Sequence, residues 1–479
     1  MSEIDQITIS TDLLQMVSAD QAWYYGIIPK TASNGNIEFY IDVLKYNETI
    51  KDDLEVLFGK IVTLEKTPSP IVQKSLSLYY RKGKGKTGEE TLSVNGRLSD
   101  DFLFRLISEA NSINSSDIHI ETYEENCRIR LRIDGKLVER YVIKKDEYPS
   151  LVNKIKIKSN LDIAEKRLPQ DGRIFFNTGK DKFDIRVSVL PSLYGEKIVL
   201  RLLSKDSTNI DITSLGFNTR QLEDYYEGIK KPHGIILISG PTGSGKTTTL
   251  YATLKILNKE NVNILTIEDP IEYTLEGVNQ VQLKESIGLT FASALRTFLR
   301  QDPDIIMLGE IRDNETAQMA IRAALTGHLV LSTIHTNSAW GTISRLIDME
   351  VPSFLLANTL SLSVAQRLVR LLCPHCKTKI PFDSLLLPKN FVLPRKLNVL
   401  YISAGCEKCF YTGYRGRRAV YEVITIDYNL SEKIKAEDMN VGSLLKEKGI
   451  LRLSDSAFNL LEQGLTTAEE VYPILMTTI

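Results

Sequence analysis

One stretch near the middle of the chain decides its fold: Gly240-Pro241-Thr242-Gly243-Ser244-Gly245-Lys246-Thr247. It matches the pattern G-x-x-x-x-G-K-[ST] of a phosphate-binding loop. The apolar run before it is typical of a short buried strand, and a helix can begin at the residues after it. Glycines let the loop turn its N–H groups towards a polyphosphate, and the helix N-terminus adds partial positive charge. We therefore expect this loop and Thr248 to bind a nucleotide, with Lys246 at the β- and γ-phosphates and Thr247 as a ligand of Mg²⁺.

The bulk composition is that of an ordinary globular protein, with 25% charged and 43% hydrophobic residues in 479. The net charge of −1 gives no support to nucleic-acid binding, so no nucleic-acid partner is predicted. The N-terminus is acidic and polar, unlike a signal peptide, and no apolar run reaches the ~18 residues of a membrane helix. We expect a cytoplasmic protein that reaches a membrane only through partners.

The order of apolar patterns and polar breaks divides the chain into segments. The expected order is an N-terminal α/β docking domain, a linker, a second α/β domain, a nucleotide-binding core, a four-cysteine module and a C-terminal helical segment. Their ranges are 1–80, 81–100, 101–207, 208–370, 371–425 and 426–479. In the core, strands at 235–239, 262–267, 304–308 and 328–334 alternate with helices such as 291–300 and 314–325. That alternation predicts a mostly parallel sheet.

Two predicted core strands end in carboxylates, and ligands of parallel sheets bind beyond the carboxyl ends of the strands. Glu310 follows the strand at 304–308, at a place where an Asp is usual, and Glu268 follows the strand at 262–267. Phosphoryl transfer to water needs Mg²⁺ held in place and the water oriented. Glu310 is expected to position Mg²⁺ or its water, and Glu268 is the candidate general base, although the two roles can be exchanged. The alternative is that they only cap helices.

Two histidines flank the strand at 328–334, and they should lie at opposite ends of it. His335, at the carboxyl end, is the candidate nucleotide sensor, whereas His328 is expected at an interface. Arginines supplied from another domain can neutralise transition-state charge. Arg186 and Arg201, on strands of the second domain, are candidates for this role. Arg296 and Arg300 share one helix face, and simple surface salt bridges are the alternative for all four arginines.

Four of the five cysteines form two C-x-x-C pairs, Cys373/Cys376 and Cys406/Cys409, separated by 29 residues. Two such pairs complete a tetrahedron of thiolates around Zn²⁺, and a site with four thiolates is structural. Free cysteines or a redox pair are the alternatives. His375 could bind the metal only by displacing a cysteine. The fifth cysteine, Cys127, is expected in a core.

These motifs together resemble the secretion/type IV pilus ATPase superfamily, and in particular the assembly ATPase of the type II secretion system. The matching stretches are Ser116–Glu121, Gln170–Arg173, Asp184–Ser188, the phosphate loop, Thr266–Tyr273, Gly309–Asp313, Thr326–Ala339 and the cysteine pairs with Thr412–Arg417. The resemblance implies a PAS-like nucleotide-clasping domain beside a RecA-like motor domain, in a homohexameric ring. It also implies that ATP hydrolysis drives pseudopilus assembly below an inner-membrane platform protein and a membrane adaptor on the cytoplasmic face.

By the same resemblance, Glu310 occupies the Walker B position, and Arg186 and Arg201 correspond to an arginine-finger pair. The arginines can serve their own subunit or a neighbouring one. Several alternatives remain open: a pilus extension ATPase, a scaffold that binds ATP but barely hydrolyses it, and a RecA-type nucleic-acid motor. Related N-terminal domains can bind a cyclic dinucleotide, but the full pattern for that ligand is absent from residues 1–80.

Overall fold

The computed structural model describes residues 19–33, 35–47, 49–80, 101–177, 182–203, 211–382 and 393–476, with a few isolated positions before residue 19. The predicted linker at 81–100 and the polar connection at 204–210 lie outside the described residues. The described part of the chain contains sheets of three, six, seven and two strands. The α/β fold class is therefore confirmed.

The N-terminal part is a small α/β unit whose sheet has the order β1-β2-β3. Its elements are α1 (Ala19–Tyr25), β1 (Ile27–Ser33), β2 (Asn36–Asp42), α2 (Thr49–Phe58), β3 (Ile61–Thr67) and α3 (Ser69–Tyr79). The Asn47 side chain starts α2 by accepting the N–H of Ile50 at 2.9 Å, and Gly59 ends it at φ +61°. The sequence pattern missed β1 because that strand contains Pro29 and turns polar towards its end.

The second part is a six-stranded antiparallel sheet in the order β6-β5-β4-β9-β8-β7. Its elements are α4 (Phe102–Ser112), β4 (Asp117–Thr122), β5 (Asn126–Ile133), β6 (Lys136–Lys144), α5 (Tyr148–Lys158), β7 (Gln170–Asn177), β8 (Lys182–Ser192) and β9 (Gly195–Leu203). The core is formed by apolar residues of the strands and of both helices, and it includes Cys127, as expected. The acidic residues of β4 are buried because basic side chains cover them. Glu121 pairs with Arg130 at 2.7 Å and with Lys197 at 3.1 Å.

The third part contains a seven-stranded sheet in the order β12-β11-β13-β14-β10-β15-β18. Its elements are α6 (Thr219–Ile229), β10 (Gly234–Ser239), α7 (Lys246–Leu257), β11 (Ile264–Glu268), β12 (Asn279–Gln282), α8 (Phe291–Phe298), β13 (Ile305–Leu308), α9 (Asn314–Leu325), β14 (Leu329–Ile334), α10 (Gly341–Asp348), α11 (Ser353–Thr359), β15 (Leu360–Leu372), β16 (Lys377–Pro381), β17 (Val399–Ser403) and β18 (Tyr414–Thr425). All neighbouring pairs in this sheet are parallel except β15 with β18. The four predicted core strands and the parallel sheet are confirmed.

The four-cysteine segment interrupts this sheet between β15 and β18. Strands β16 and β17 form a separate antiparallel pair. The range 371–425 expected for the module also contains β18, but β18 pairs with β15 from Leu362↔Thr425 to Leu372↔Tyr414. The part outside the seven-stranded sheet, called the motor sheet below, is therefore 373–413. The error arose because the strand on the far side of the cysteines has no signal that separates it from the module.

The C-terminal segment is helical, as predicted, over the residues described. Its helices are α12 (Tyr428–Lys435), α13 (Gly442–Glu447), α14 (Leu453–Glu462) and α15 (Ala468–Met476). Buried residues of these helices join the core that surrounds the motor sheet. Among the described helices, none is both long and apolar enough to cross a bilayer.

Glu422 is a buried carboxyl group between the motor sheet and the C-terminal helices. It lies on β18, is 4% exposed, and accepts backbone N–H groups of Leu453 and Ala339. Burial raises the pKa of Glu422 to about 7, against these opposing hydrogen bonds. A raised acid pKa in the folded state means that the fold binds the proton more tightly than the unfolded chain. The stability of the fold therefore falls as the pH rises from 4.5, the ordinary pKa of a glutamate, through about 7, the pKa of Glu422 in the fold.

We expect Glu422→Gln to stabilise the fold at pH 8, by up to roughly 3 kcal/mol, and to have little effect at pH 5. The amide removes the cost of ionising a buried group while keeping its shape. Unfolding midpoints measured at both pH values test this, with the exposed Glu447→Gln as matched control. Equal stabilisation at pH 5 and pH 8 would contradict the assignment.

Candidate functional site

The phosphate loop connects β10 to α7, and strand β15 lies directly beneath it. Gly240 has φ +152°, and a Cβ there would lie 2.5 Å from the carbonyl oxygen of Gln366, so no other residue fits. Gln366 donates to the carbonyl of Ser244 at 2.9 Å and accepts from Thr249 at 2.9 Å. The buried Ser244 hydroxyl has no hydrogen-bond partner among the described residues. A buried polar group without a partner, in a loop of turned N–H groups, fits a phosphate ligand.

Lys246 and Thr247 open helix α7 at the loop. The Lys246 ammonium donates to the carbonyls of Gly240 at 2.8 Å and Pro241 at 3.2 Å. Burial lowers the pKa of Lys246, while the negative charge of Glu310 opposes that shift. Thr247 is exposed on the first turn, where its hydroxyl is accessible. The loop therefore presents one buried cation and one accessible hydroxyl.

Glu310 and His335 come together at the carboxyl ends of β13 and β14. Glu310 Oε2 lies 3.2 Å from His335 Nε2, and its other oxygen pairs with Arg312. The Thr333 hydroxyl donates to the carbonyl of Gly309 at 2.7 Å, which fixes the turn before Glu310. His328 is at the other end of β14, where Nδ1 contacts the carbonyl of Ala323 at 2.8 Å. Of the two histidines, only His335 meets the acidic group.

Glu268 is enclosed in a network of neutral donors. It is 3% exposed, and it accepts the Thr266 hydroxyl at 2.5 Å, the Gln280 amide at 3.1 Å and the Tyr251 hydroxyl. Burial and the charge of Glu268 raise the pKa of Tyr251, so the phenol stays protonated and donates. Glu268, the general-base candidate from the sequence, and Glu310 therefore have different surroundings.

The arginines of the second domain form a row across three strands. Arg173, Arg186 and Arg201 lie directly opposite one another in the register of β7, β8 and β9. Arg186 donates to the carbonyl of Ile271 and pairs with Glu272 at 3.4 Å, both in the loop after β11. These arginines line a cleft of about 530 Å³ whose other wall includes residues of the motor domain, Pro270 and Gln282.

The other arginine predictions have different outcomes. Arg201 pairs with Asp117 at 3.0 Å and is more than half exposed. Arg296 forms an ion pair with Glu315, and Arg300 donates to the carbonyl of Arg296 at 2.9 Å. Sequence reasoning missed Arg173 as a member of the row, because strand register decides which residues stand opposite each other. It also missed Gln366 and Arg367, because both residues are far from the loop along the chain and belong to no motif.

The phosphate loop follows the parallel strand β10, and a glutamate–histidine pair stands at the ends of β14 and β13, the next two strands across the sheet. This arrangement defines a P-loop nucleoside triphosphate hydrolase. The family described as Type II/IV secretion system protein matches residues 97–473. This chain belongs to that family. Type II secretion system protein E of Pseudomonas aeruginosa is 48% identical over 388 residues, which cover 80% of this chain and 77% of that protein.

A second relative comes from pilus assembly. The Type IV pilus assembly ATPase PilB of Myxococcus xanthus is 42% identical over 455 residues, covering 88% of this chain and 79% of PilB. The X-ray structure of the ATPase DotB of Legionella pneumophila has a TM-score of 0.62 at 23% identity, over 82% of this chain and 98% of DotB. That structural likeness supports the fold alone. The chain is an ATP hydrolase, and the motif resemblance to type II secretion assembly ATPases is confirmed.

The four cysteines of the two C-x-x-C pairs converge on one point. Their sulfur atoms all lie within 4.8 Å of one another. The Sγ–Sγ distances are 3.9 Å for Cys373–Cys406 and 3.7 Å for both Cys376–Cys409 and Cys406–Cys409. A tetrahedron with Zn–S bonds of about 2.3 Å has edges of about 3.8 Å, so these residues fit Zn²⁺. The group consists of cysteines alone, and His375 is exposed on the knuckle.

The second cysteine knuckle also contacts both preceding domains. Phe410, next to Cys409, packs against the core of the six-stranded sheet, with the Arg140 guanidinium 5.2 Å from its ring centre. Tyr411 meets Trp23 of the N-terminal unit edge to face, with ring centres 5.1 Å apart. Both residues have positive φ, +50° and +59°, so the turn after Cys409 must be held in an unfavourable backbone conformation.

We expect the purified chain to carry about one zinc ion, and Cys406→Ser/Cys409→Ser to lose it and to unfold more than about 10 °C lower. Without the metal, the turn carrying Phe410 and Tyr411 loses its anchor. Zinc analysis, thermal unfolding and limited proteolysis provide the measurements.

The matched control is Cys127→Ala, which should cost some stability but keep the zinc, because Cys127 lies in the core of the second domain. A wild-type chain without zinc, or a double variant with the wild-type midpoint, would contradict a structural metal centre.

Proposed function

We propose that this chain is a cytoplasmic, homohexameric motor ATPase that drives pseudopilus assembly for type II protein secretion across the outer membrane. It is peripheral to the inner membrane, where a platform protein and a membrane adaptor hold it. ATP, Mg²⁺ and a structural Zn²⁺ are its cofactors. We further propose a PAS-like domain at 101–207, a RecA-like core at 208–370 and a docking role for residues 1–80.

The observation that carries this proposal is the cleft between the second domain and the motor domain. The arginine row lies on one wall, and the loop after β11 contributes to the other. We propose that a nucleotide held by the phosphate loop extends to this cleft, where the second domain bears several positive charges. Movement of that domain can therefore depend on which phosphates are present, as a motor requires.

In the proposed reaction, the backbone N–H groups of residues 242–248 and the Lys246 ammonium hold the β- and γ-phosphates. Thr247 is the Mg²⁺ ligand from the protein, and Mg²⁺ supplies charge neutralisation at the phosphates. Glu310 orients the attacking water and accepts its proton, and His335 holds Glu310 and senses the nucleotide. Arg186 and Arg201 exchange their present carboxylate partners for phosphate oxygens of their own subunit or a neighbouring one.

Glu310 is favoured over Glu268 as the general base because of its surroundings. The Glu310 side chain is partly exposed, and its partners Arg312 and His335 are about half exposed, whereas Glu268 is buried and both of its oxygens accept protein donors. A base must be reachable by the water that it activates. We therefore propose that Glu268 acts indirectly, by holding Tyr251 and the loop that follows β11.

We expect Glu310→Gln to lower kcat by at least about 100-fold while nucleotide affinity stays within about threefold. Glu268→Gln should instead lower kcat and the unfolding midpoint together, because one of the two accepting oxygens becomes an amide N–H₂ group that faces a protein donor. Tyr251→Phe is the matched control for the indirect role and should show a weaker form of the Glu268→Gln effect. The assignment fails if Glu268→Gln abolishes turnover at an unchanged midpoint while Glu310→Gln stays active.

A pilus extension motor is the second candidate. The match to Myxococcus xanthus PilB covers 88% of this chain, more than the 80% for the secretion relative, although the identity is lower. Secretion is favoured by the higher identity of 48% against 42%. Genes for pseudopilins next to the gene for this chain would support secretion, and genes for pilus retraction would support the pilus.

The decisive experiment deletes the gene and restores it as wild type or as Lys246→Ala. We expect the deletion to abolish exoprotein secretion but not piliation, and only the wild type to restore it. In vitro, the wild type should hydrolyse ATP as a hexamer without stimulation by DNA, and Lys246→Ala should lose at least about 100-fold in kcat. Near-native turnover in Lys246→Ala, or loss of pili with normal secretion, would refute the proposal.

A further inference from the structure

Arg367 lies against the phosphate loop without belonging to any motif of the sequence analysis. It is on β15, the strand that runs beside β10, and it comes directly after Gln366. A Cβ atom added to Gly240 would lie 3.2 Å from one guanidinium nitrogen of Arg367. The guanidinium therefore touches the first glycine of the loop, the residue whose carbonyl also accepts the Lys246 ammonium.

The same side chain reaches the segment that follows His335. Its Nη2 donates to the carbonyl of Asn337 at 3.1 Å and lies 3.5 Å from that of Thr336. Its Nη1 donates to the carbonyl of Gln366 at 3.0 Å. The guanidinium thus bridges the middle of β15 and the segment after β14, across the start of the phosphate loop. Its two donors are held apart in one plane, whereas the donors of an ammonium share one nitrogen atom.

Arg367 has no carboxylate partner within 4.0 Å among the described residues, and the same holds for Lys246. Both cations donate only to neutral oxygens. Burial lowers the pKa of Arg367, with Glu422 opposing, and Arg367 in turn lowers the pKa of Lys246. Two partly buried cations beside one loop repel each other, and a bound anion would relieve that repulsion.

We propose that Arg367 is a positioning residue for ATP hydrolysis that fastens the segment after His335 to the phosphate loop, and that its charge strengthens phosphate binding there. The inference rests on the proposed nucleotide site and adds a residue that the motifs do not contain. Through residues 336 and 337, Arg367 sets the place of His335, and through His335 that of Glu310. Its charge and its fork geometry make separate contributions, which two substitutions distinguish.

The experiment compares Arg367→Lys and Arg367→Gln in the full-length chain, with Arg220→Gln as control. Arg220 is an exposed arginine on α6 that pairs with Asp224 and donates to the carbonyl of Lys448. The first readout is binding of inorganic pyrophosphate and of a fluorescent ADP analogue, which needs no turnover. The second is the split between kcat and KM for ATP, and the third is the unfolding midpoint.

Arg367→Lys keeps the charge and loses the fork, so pyrophosphate affinity should stay within about threefold while kcat falls about tenfold. Arg367→Gln loses the charge, so pyrophosphate affinity should fall about tenfold and kcat should fall as well. Both variants should keep the wild-type midpoint to within a few degrees, and Arg220→Gln should match the wild type throughout.

The proposal is overturned if Arg367→Lys turns over ATP at the wild-type kcat, or if Arg367→Gln binds pyrophosphate as tightly as the wild type. It is also overturned if both variants lose activity only in proportion to a lower midpoint, which would mean a purely structural role. If the proposed nucleotide site itself were wrong, the result would differ: Lys246→Ala would bind pyrophosphate and hydrolyse ATP like the wild type.

Discussion

The position of the phosphate loop depends on strand β15. The Gln366 side chain holds the loop from below through Ser244 and Thr249, and its carbonyl leaves room only for a glycine at position 240. Gln366 is 2% exposed, so each of these hydrogen bonds replaces water in a closed space, where an unmade one costs about 1–3 kcal/mol. The same strand ends at Leu372, directly before the first residue of the four-cysteine cluster. One continuous strand therefore joins the phosphate loop to that cluster.

That connection extends beyond the motor domain. The turn after Cys409 packs one aromatic ring against the core of the second domain and the next against the N-terminal unit. A short loop does not hold two consecutive non-glycine residues at positive φ without strong constraints. Four thiolates on one metal ion would supply such a constraint. A structural metal would thus explain more than the stability of its own module, since it would fix the surface that contacts two other domains.

Sequence reasoning predicted what local pattern encodes. Apolar runs predicted the parallel strands, and glycine spacing predicted the phosphate loop, because each of these signals lies within a few consecutive residues. It did not predict the juxtapositions that depend on register or on distant segments. Examples are the row of Arg173, Arg186 and Arg201, the contact of Arg367 with Gly240, and the assignment of β18 to the motor sheet. The two acidic strand ends looked alike in sequence, and only burial separated Glu268 from Glu310.

The arginine row shows how the second domain can respond to a nucleotide. Like charges directly opposite each other on neighbouring strands are destabilising, so each arginine needs an anionic or carbonyl partner. Arg201 has Asp117 within its own sheet, but Arg186 finds its partners in the motor domain, at Ile271 and Glu272. Those residues follow Glu268, which accepts the Tyr251 hydroxyl. The same hydroxyl accepts the N–H of Glu272, so Tyr251 holds the start of this loop. Under the proposed function, a phosphate that attracts Arg186 competes with Glu272, and the second domain must move relative to this loop for the exchange to occur. The contact that holds the two domains together is then also the contact that nucleotide binding would change.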